Sequence, residues 1–166
     1  MVLGPNPRNG KQRAKLVGPA CLLLIFAGLF FDAKAAEPAH LLRDFGRVGV
    51  LIETSNGPCV FIDAYVATDG ATRAQGLMYI ESLGEFEGML FIHRRPAEIS
   101  MWMKNTLIAL DMLFVRDDQT IARIVTDTVP LSTDIISSRE AVTAVLELNA
   151  GSAQRWGIQI GDRVQR

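Results

Sequence analysis

The chain has few of the residues that staple small exported domains or hold metals. Its 166 residues include only two cysteines and two histidines. Cys21 falls in an N-terminal apolar run, which leaves Cys59 alone in the remainder. No internal disulfide can form there, so a packed core must hold the domain. Cys59 opens the apolar stretch Pro58-Cys59-Val60-Phe61, with neither His40 nor His93 near it in sequence. It reads as a buried, inert thiol and not as a nucleophile. His40 and His93 are too few for a histidine-only metal site.

Common catalytic signatures are also missing. There is no Gly-x-Ser-x-Gly elbow, phosphate loop, dinucleotide Gly-x-Gly-x-x-Gly, His-Glu-x-x-His or Cys-x-x-Cys. These absences argue against the large enzyme classes built on those motifs. Asp117-Asp118 lacks the alternating spacing of a calcium loop and reads as a turn. No cofactor is expected.

Charge is unevenly spread. Arg8, Lys11, Arg13 and Lys15 stand at the start with no acid among them, followed by an uncharged, mainly apolar run from Leu16 to Phe31. Ala33-Lys34-Ala35 then has the small-x-small form of a signal-peptidase site. Residues 1–35 are therefore expected to be a cleavable signal, and the protein periplasmic or secreted. The alternative is an uncleaved anchor at residues 16–31 in the inner membrane, the only membrane contact the sequence offers. Sixteen helical residues span roughly 24 Å against a hydrocarbon core of ~30 Å. Beyond residue 35 there are twelve Arg/Lys, Lys104 the single lysine, against seventeen Asp/Glu. Such an acidic domain has no basic face for nucleic acid.

After a short lead-in, residues 36–46, the rest reads as one domain, residues 47–166. Strands are expected at Val48 to Glu53, Cys59 to Ala67, Gly88 to His93, Glu98 to Lys104, Leu110 to Arg116, Thr120 to Val125, Val142 to Leu148 and Arg163 to Gln165. Turn residues separate them. Thr68 or Asp69 caps a short helix over Ala71 to Gln75 that stops at Gly76, and a second helical turn lies near Ala150 to Trp156. About eight short strands and two short helices make a mainly β sandwich or barrel.

The unusual stretch is Met101-Trp102-Met103-Lys104-Asn105-Thr106. Strand alternation puts Met101 and Met103 on one face and Trp102 and Lys104 on the other. Met101, Met103 and His93 are weak candidates for a Cu(I) site, but two methionines more often fill core volume. Trp102, Lys104 and Asn105 offer a ring, an ammonium and an amide to a sugar or small acid. Arg73 offers a carboxylate- or phosphate-binding fork, or a tie from its helix to a neighbouring loop. Asp111, in an apolar strand, is exposed or else buried and paired, with Lys104, Arg73 and Asn105 as candidate partners.

Five blocks in this order resemble the bacterial and archaeal family called domain of unknown function 192 (DUF192). They are Arg73-Ala74-Gln75-Gly76-Leu77-Met78, Gly88-Met89-Leu90-Phe91, Trp102 to Asp111, Val145 to Gly151, and Gly157-Ile158 with Gly161-Asp162. The resemblance covers residues 47 to 165 and implies a compact β-sandwich of roughly jelly-roll type, usually behind a signal or anchor. It implies no activity. The family often has an aromatic at the position of Met101 and a proline at that of Ala109; the first counts against a shared methionine copper site.

The sequence thus points to an exported, non-catalytic ligand-binding or accessory domain of the cell envelope. Its partner would be a small molecule or an envelope protein, and its candidate site Arg73, Trp102, Lys104, Asn105 and Asp111. A hydrolase-type enzyme using Asp111 and Lys104 is the alternative. A Cu(I) carrier is a third reading.

Overall fold

The computed structural model describes residues 45–55 and 57–166. The expected signal, most of the lead-in, Cys21 and His40 lie outside them. Among the described residues no helix is long and apolar enough to cross a membrane.

Seven strands and two short helices follow in the order β1 (Gly46–Glu53), β2 (Val60–Ala67), α1 (Gly70–Gln75), β3 (Glu87–Met101), β4 (Leu110–Val115), β5 (Ile121–Val125), β6 (Ile136–Asn149), α2 (Ser152–Arg155) and β7 (Arg163–Gln165). All seven strands join one sheet in the order β5-β4-β6-β3-β2-β1-β7. The β2–β3 pair is parallel, with α1 on the crossover between them. The sheet curls until its two edges nearly meet. Thr120 bridges Arg163, Ile121 N–H donates to Asp162 O at 2.8 Å, and Val164 N–H donates to Gln119 O at 2.9 Å. The architecture is barrel-like, a single closing sheet: of the sandwich and barrel that the strand pattern left open it is the barrel, not the two stacked sheets of the jelly-roll sandwich the resemblance implied. The edges of a curled sheet satisfy one another's backbone groups, so no second sheet is required.

Alternation along the strands gives the barrel two apolar layers. Val50, Ile62, Leu90, Leu113, Ile121, Leu146 and Val164, one from each strand, fill the interior together with Ala153 of α2. On the outside, Tyr65, Met89, Phe91, Met112, Phe114 and Val145 form a second core. Leu77, Ile80 and Leu83 from the chain after α1, and Met103 from the chain after β3, cover that layer. β4 is consequently buried along its whole length.

Three expectations need correction. The two strands expected at 88–93 and 98–104 are one strand. Its pairing with β6 jumps from Ile92↔Ala144 to Ala97↔Val142, so residues 93–96 swell out of the ladder and Pro96 is not asked for an N–H. β6 starts six residues before the expected Val142, because Ile136 and Ser137 pair with the far end of β3. Cys59 is exposed, not buried: it precedes β2, and the inward position belongs to Val60.

Candidate functional site

Helix α1 is set by its cap. Asp69 Oδ1 accepts from Ala71 N at 2.8 Å and Thr72 N at 2.9 Å, and Asp69 N donates to Thr72 Oγ1 at 3.2 Å, a reciprocal capping box. The Thr72 N–H, chiefly, holds the Asp69 carboxyl below its ordinary pKa. Gly76 ends the helix at φ 50°, where any Cβ would lie 3.1 Å from Phe91 Cζ. Arg73 therefore faces the barrel wall. Its Nη1 donates to Thr68 O at 2.6 Å and Ile92 O at 3.1 Å, tying α1 to β3 through carbonyls.

Beside Arg73 is a pocket of about 80 Å³, lined by Arg73, Met78, Met101, Trp102, Lys104 and Glu147, among others. Trp102 and Lys104 are exposed, and the Lys104 ammonium lies 5.2 Å from the Trp102 ring centre, within cation–π range. The expected alternation holds: Met103, between them, is buried in the outer core. On the other side of Arg73 a wide, open hollow is lined by Thr68, Asp69, His93 and Arg94. Burial first, then Arg73, lowers the His93 pKa, so its imidazole is neutral at pH 7.

Not every candidate joins this site. Asp111 is fully buried, but on the barrel's other face. Its Oδ1 accepts from Asp127 N at 3.0 Å and its Oδ2 from Ala153 N at 2.8 Å. Lys104, Arg73 and Asn105 are not its partners; it pins α2 and the turn after β5 to β4. An acid/base pair of Asp111 with Lys104 is therefore not assembled. Asn105 is a brace as well, at φ 59°, its carbonyl accepting from Tyr79 N at 2.9 Å and its amide reaching Met78 Sδ at 3.7 Å. The three copper candidates are scattered, with Met101 in the pocket, Met103 in the core and His93 in the neighbouring hollow.

Glu147 is the residue the sequence reading passed over. It stands between Leu146 and Leu148 on β6, pairs with Met89 on one side and Met112 on the other, and is 4% exposed at the pocket floor. Burial pushes its carboxyl up to about 8, and no cation offsets that rise. The signal was the same as at Asp111: a carboxylate in an apolar strand.

Two further polar groups serve the frame. Asn149 Nδ2 donates to Leu83 O and Gly84 O, both at 3.0 Å, fixing the chain over the outer core. Asp162, 3% exposed, accepts from Ser55 N at 2.9 Å, Ser55 Oγ and Gln159 N at 2.7 Å, which locks the turn before β7 to the end of β1.

Fold and site together define a small barrel-like β domain carrying an acid-floored, cation-rimmed pocket on its outer wall. Residues 51–166 match the family DUF192, described as uncharacterized ACR, and the chain belongs to it. A crystal structure of a candidate transcription regulator from Sinorhizobium meliloti 1021 is similar at 42% identity and a TM-score of 0.71, covering 73% of this chain and 94% of that one. A crystal structure of a protein of unknown function from Novosphingobium aromaticivorans DSM 12444 is similar at 35% identity and a TM-score of 0.70, covering 72% and 85%. No curated protein matches.

Proposed function

We propose that the protein is an exported, non-catalytic ligand-binding domain of the cell envelope, periplasmic or secreted, and that the pocket between α1 and the chain after β3 is its binding site. One observation carries this reading: Arg73 of α1 converges with Trp102 and Lys104, from the chain after β3, on one pocket. An aromatic wall beside two cations suits a small polar or anionic ligand. Export rests on the order of basic run, apolar run and small-x-small site in residues 1–35.

The description of the Sinorhizobium meliloti protein suggests nucleic acid as an alternative partner. The twelve basic against seventeen acidic residues beyond residue 35 speak against it. A thermal-shift screen of the purified protein against sugars, organic acids, peptides and metal salts tests the reading. A hit should weaken in Trp102→Ala and in Lys104→Ala. A ligand that binds both variants as well as the parent sits elsewhere.

A further inference from the structure

Glu147 is an unusual floor for a pocket. Its carboxyl makes no hydrogen bond or ion pair among the described residues. The side chains beside it in the ladder, Met89 and Met112, offer no N–H or O–H donor. The carboxyl reaches the surface at the pocket, so a partner that enters there would supply the hydrogen bonds the fold does not. The pocket is the way in. Its rim carries two cations, and Arg73 uses only Nη1 for the Thr68 and Ile92 carbonyls.

We propose that the pocket is a carboxylate site: the Glu147 carboxyl hydrogen-bonds one oxygen of a small organic acid, while Arg73 and Lys104 balance the ligand's charge from the rim. This rests on the ligand-binding reading above and deepens it by naming the ligand class. The charges argue for an acid over an amine. With Glu147 neutral the site is net positive, and an ammonium would have to displace the Glu147 proton while sitting near two cations. Size narrows the class. About 80 Å³ is the liquid volume of two or three waters, short of the ~300 Å³ and more of sites for drug-sized ligands. It suits an acid the size of acetate or lactate.

The ionisable groups around Glu147 are few. Arg73 comes from α1, Lys104 from the chain after β3, and Tyr65 of β2 lies in the same outer layer; what β3 and β4 place there, Met89, Phe91, Ser100, Met101 and Met112, carries no charge. Burial alone holds the Glu147 carboxyl up to about 8. Below that pH it is a donor; above it, a second negative charge facing the ligand. Carboxylate affinity should fall about tenfold between pH 6 and pH 9 if only the protonated form binds.

The test is calorimetric titration of the purified protein with acetate, glycolate and lactate at pH 6, 8 and 9, with methylammonium and inorganic phosphate as contrasting probes. The expected result is carboxylate binding that weakens about tenfold by pH 9, with proton uptake at pH 8. Glu147→Gln, neutral at every pH, should bind with the same affinity at pH 6 and 9. An infrared difference spectrum of the unmutated protein supplies a second readout, should that variant misfold: adding acetate at pH 8 should raise the band of a protonated carboxylic acid. Tighter binding of methylammonium or phosphate, or proton release, overturns the carboxylate assignment. A carboxylate whose pH step survives in Glu147→Gln overturns the role of Glu147 and leaves the binding reading standing. If no probe binds and the wider screen is also empty, both fall.

Discussion

Asp111 and Glu147 are buried carboxylates one ladder step apart that face opposite sides of the same sheet. Asp111 pairs with Leu148, and Met112 pairs with Glu147, so period-two alternation sends Asp111 into the barrel and Glu147 outward beneath the pocket. The first is satisfied by two backbone N–H groups; the second has none. This difference gives the first a structural role and supports the binding role proposed for the second.

Asp111→Ala should destabilise the protein by about 3 kcal/mol, since it strands the buried Ala153 N–H and the Asp127 N–H. Asp111→Asn should cost nearly as much, because only one amide oxygen remains to serve two donors. Urea denaturation measures both. A ligand that binds at the outer pocket should keep its affinity in whichever variant folds.

Glu147 makes stability fall as pH rises. Its pKa is raised from 4.5 to about 8 in the fold, so between those values the folded state holds a proton that the unfolded chain has lost. Its contribution is fully present below pH 4.5 and is lost as pH climbs through about 8. The slope is at most about 1.4 kcal/mol per pH unit. In Glu147→Gln this component should vanish, which denaturation midpoints from pH 5 to pH 9 will show.

Trp102→Ala and Lys104→Ala should each cost no more than about 1 kcal/mol, as both side chains are exposed; Trp102 is 45% so. Either change removes their whole cation–π contact, worth about 0.5–1 kcal/mol at such a site. Thermal melts check this. A loss well beyond about 1 kcal/mol would make the block a piece of scaffold.

Gly88→Ala should be strongly destabilising. A Cβ there would lie 2.7 Å from the Glu147 carbonyl oxygen and 3.0 Å from a Leu148 methyl, so β3 and β6 would have to separate where they flank the pocket floor. A loss of about 2 kcal/mol or more is expected from circular-dichroism melts. It should exceed that of Gly46→Ala, where a Cβ meets nothing within 4 Å.

Much of the frame was legible in the chain. Hydrophobic runs and turn residues located β1, β2, β4, β5 and β7 closely, and Asp69 with Gly76 bounded α1. Alternation alone put Met103 on the face opposite Trp102 and Lys104. The pattern failed where long-range pairing overrode local signals. Pro96 read as a break, yet the bulge in β3 absorbs it. Ile136 and Ser137 gain a partner only when β3 is brought beside them. Cys59 was judged by its apolar neighbours, though it precedes the ladder that buries Val60.

The sequence by itself determined that this is a mainly β domain of the DUF192 family without an internal disulfide, and it singled out Arg73, Trp102, Lys104, Asn105 and Asp111 as candidates, without separating the pocket residues from the braces. Tertiary structure alone decided which carboxylate meets them. A carboxylate between apolar neighbours looks the same at Asp111 and at Glu147. Its fate depends on which face of the curled sheet it takes and on which backbone N–H groups the later chain brings within reach, and those are set by register and closure across the whole barrel.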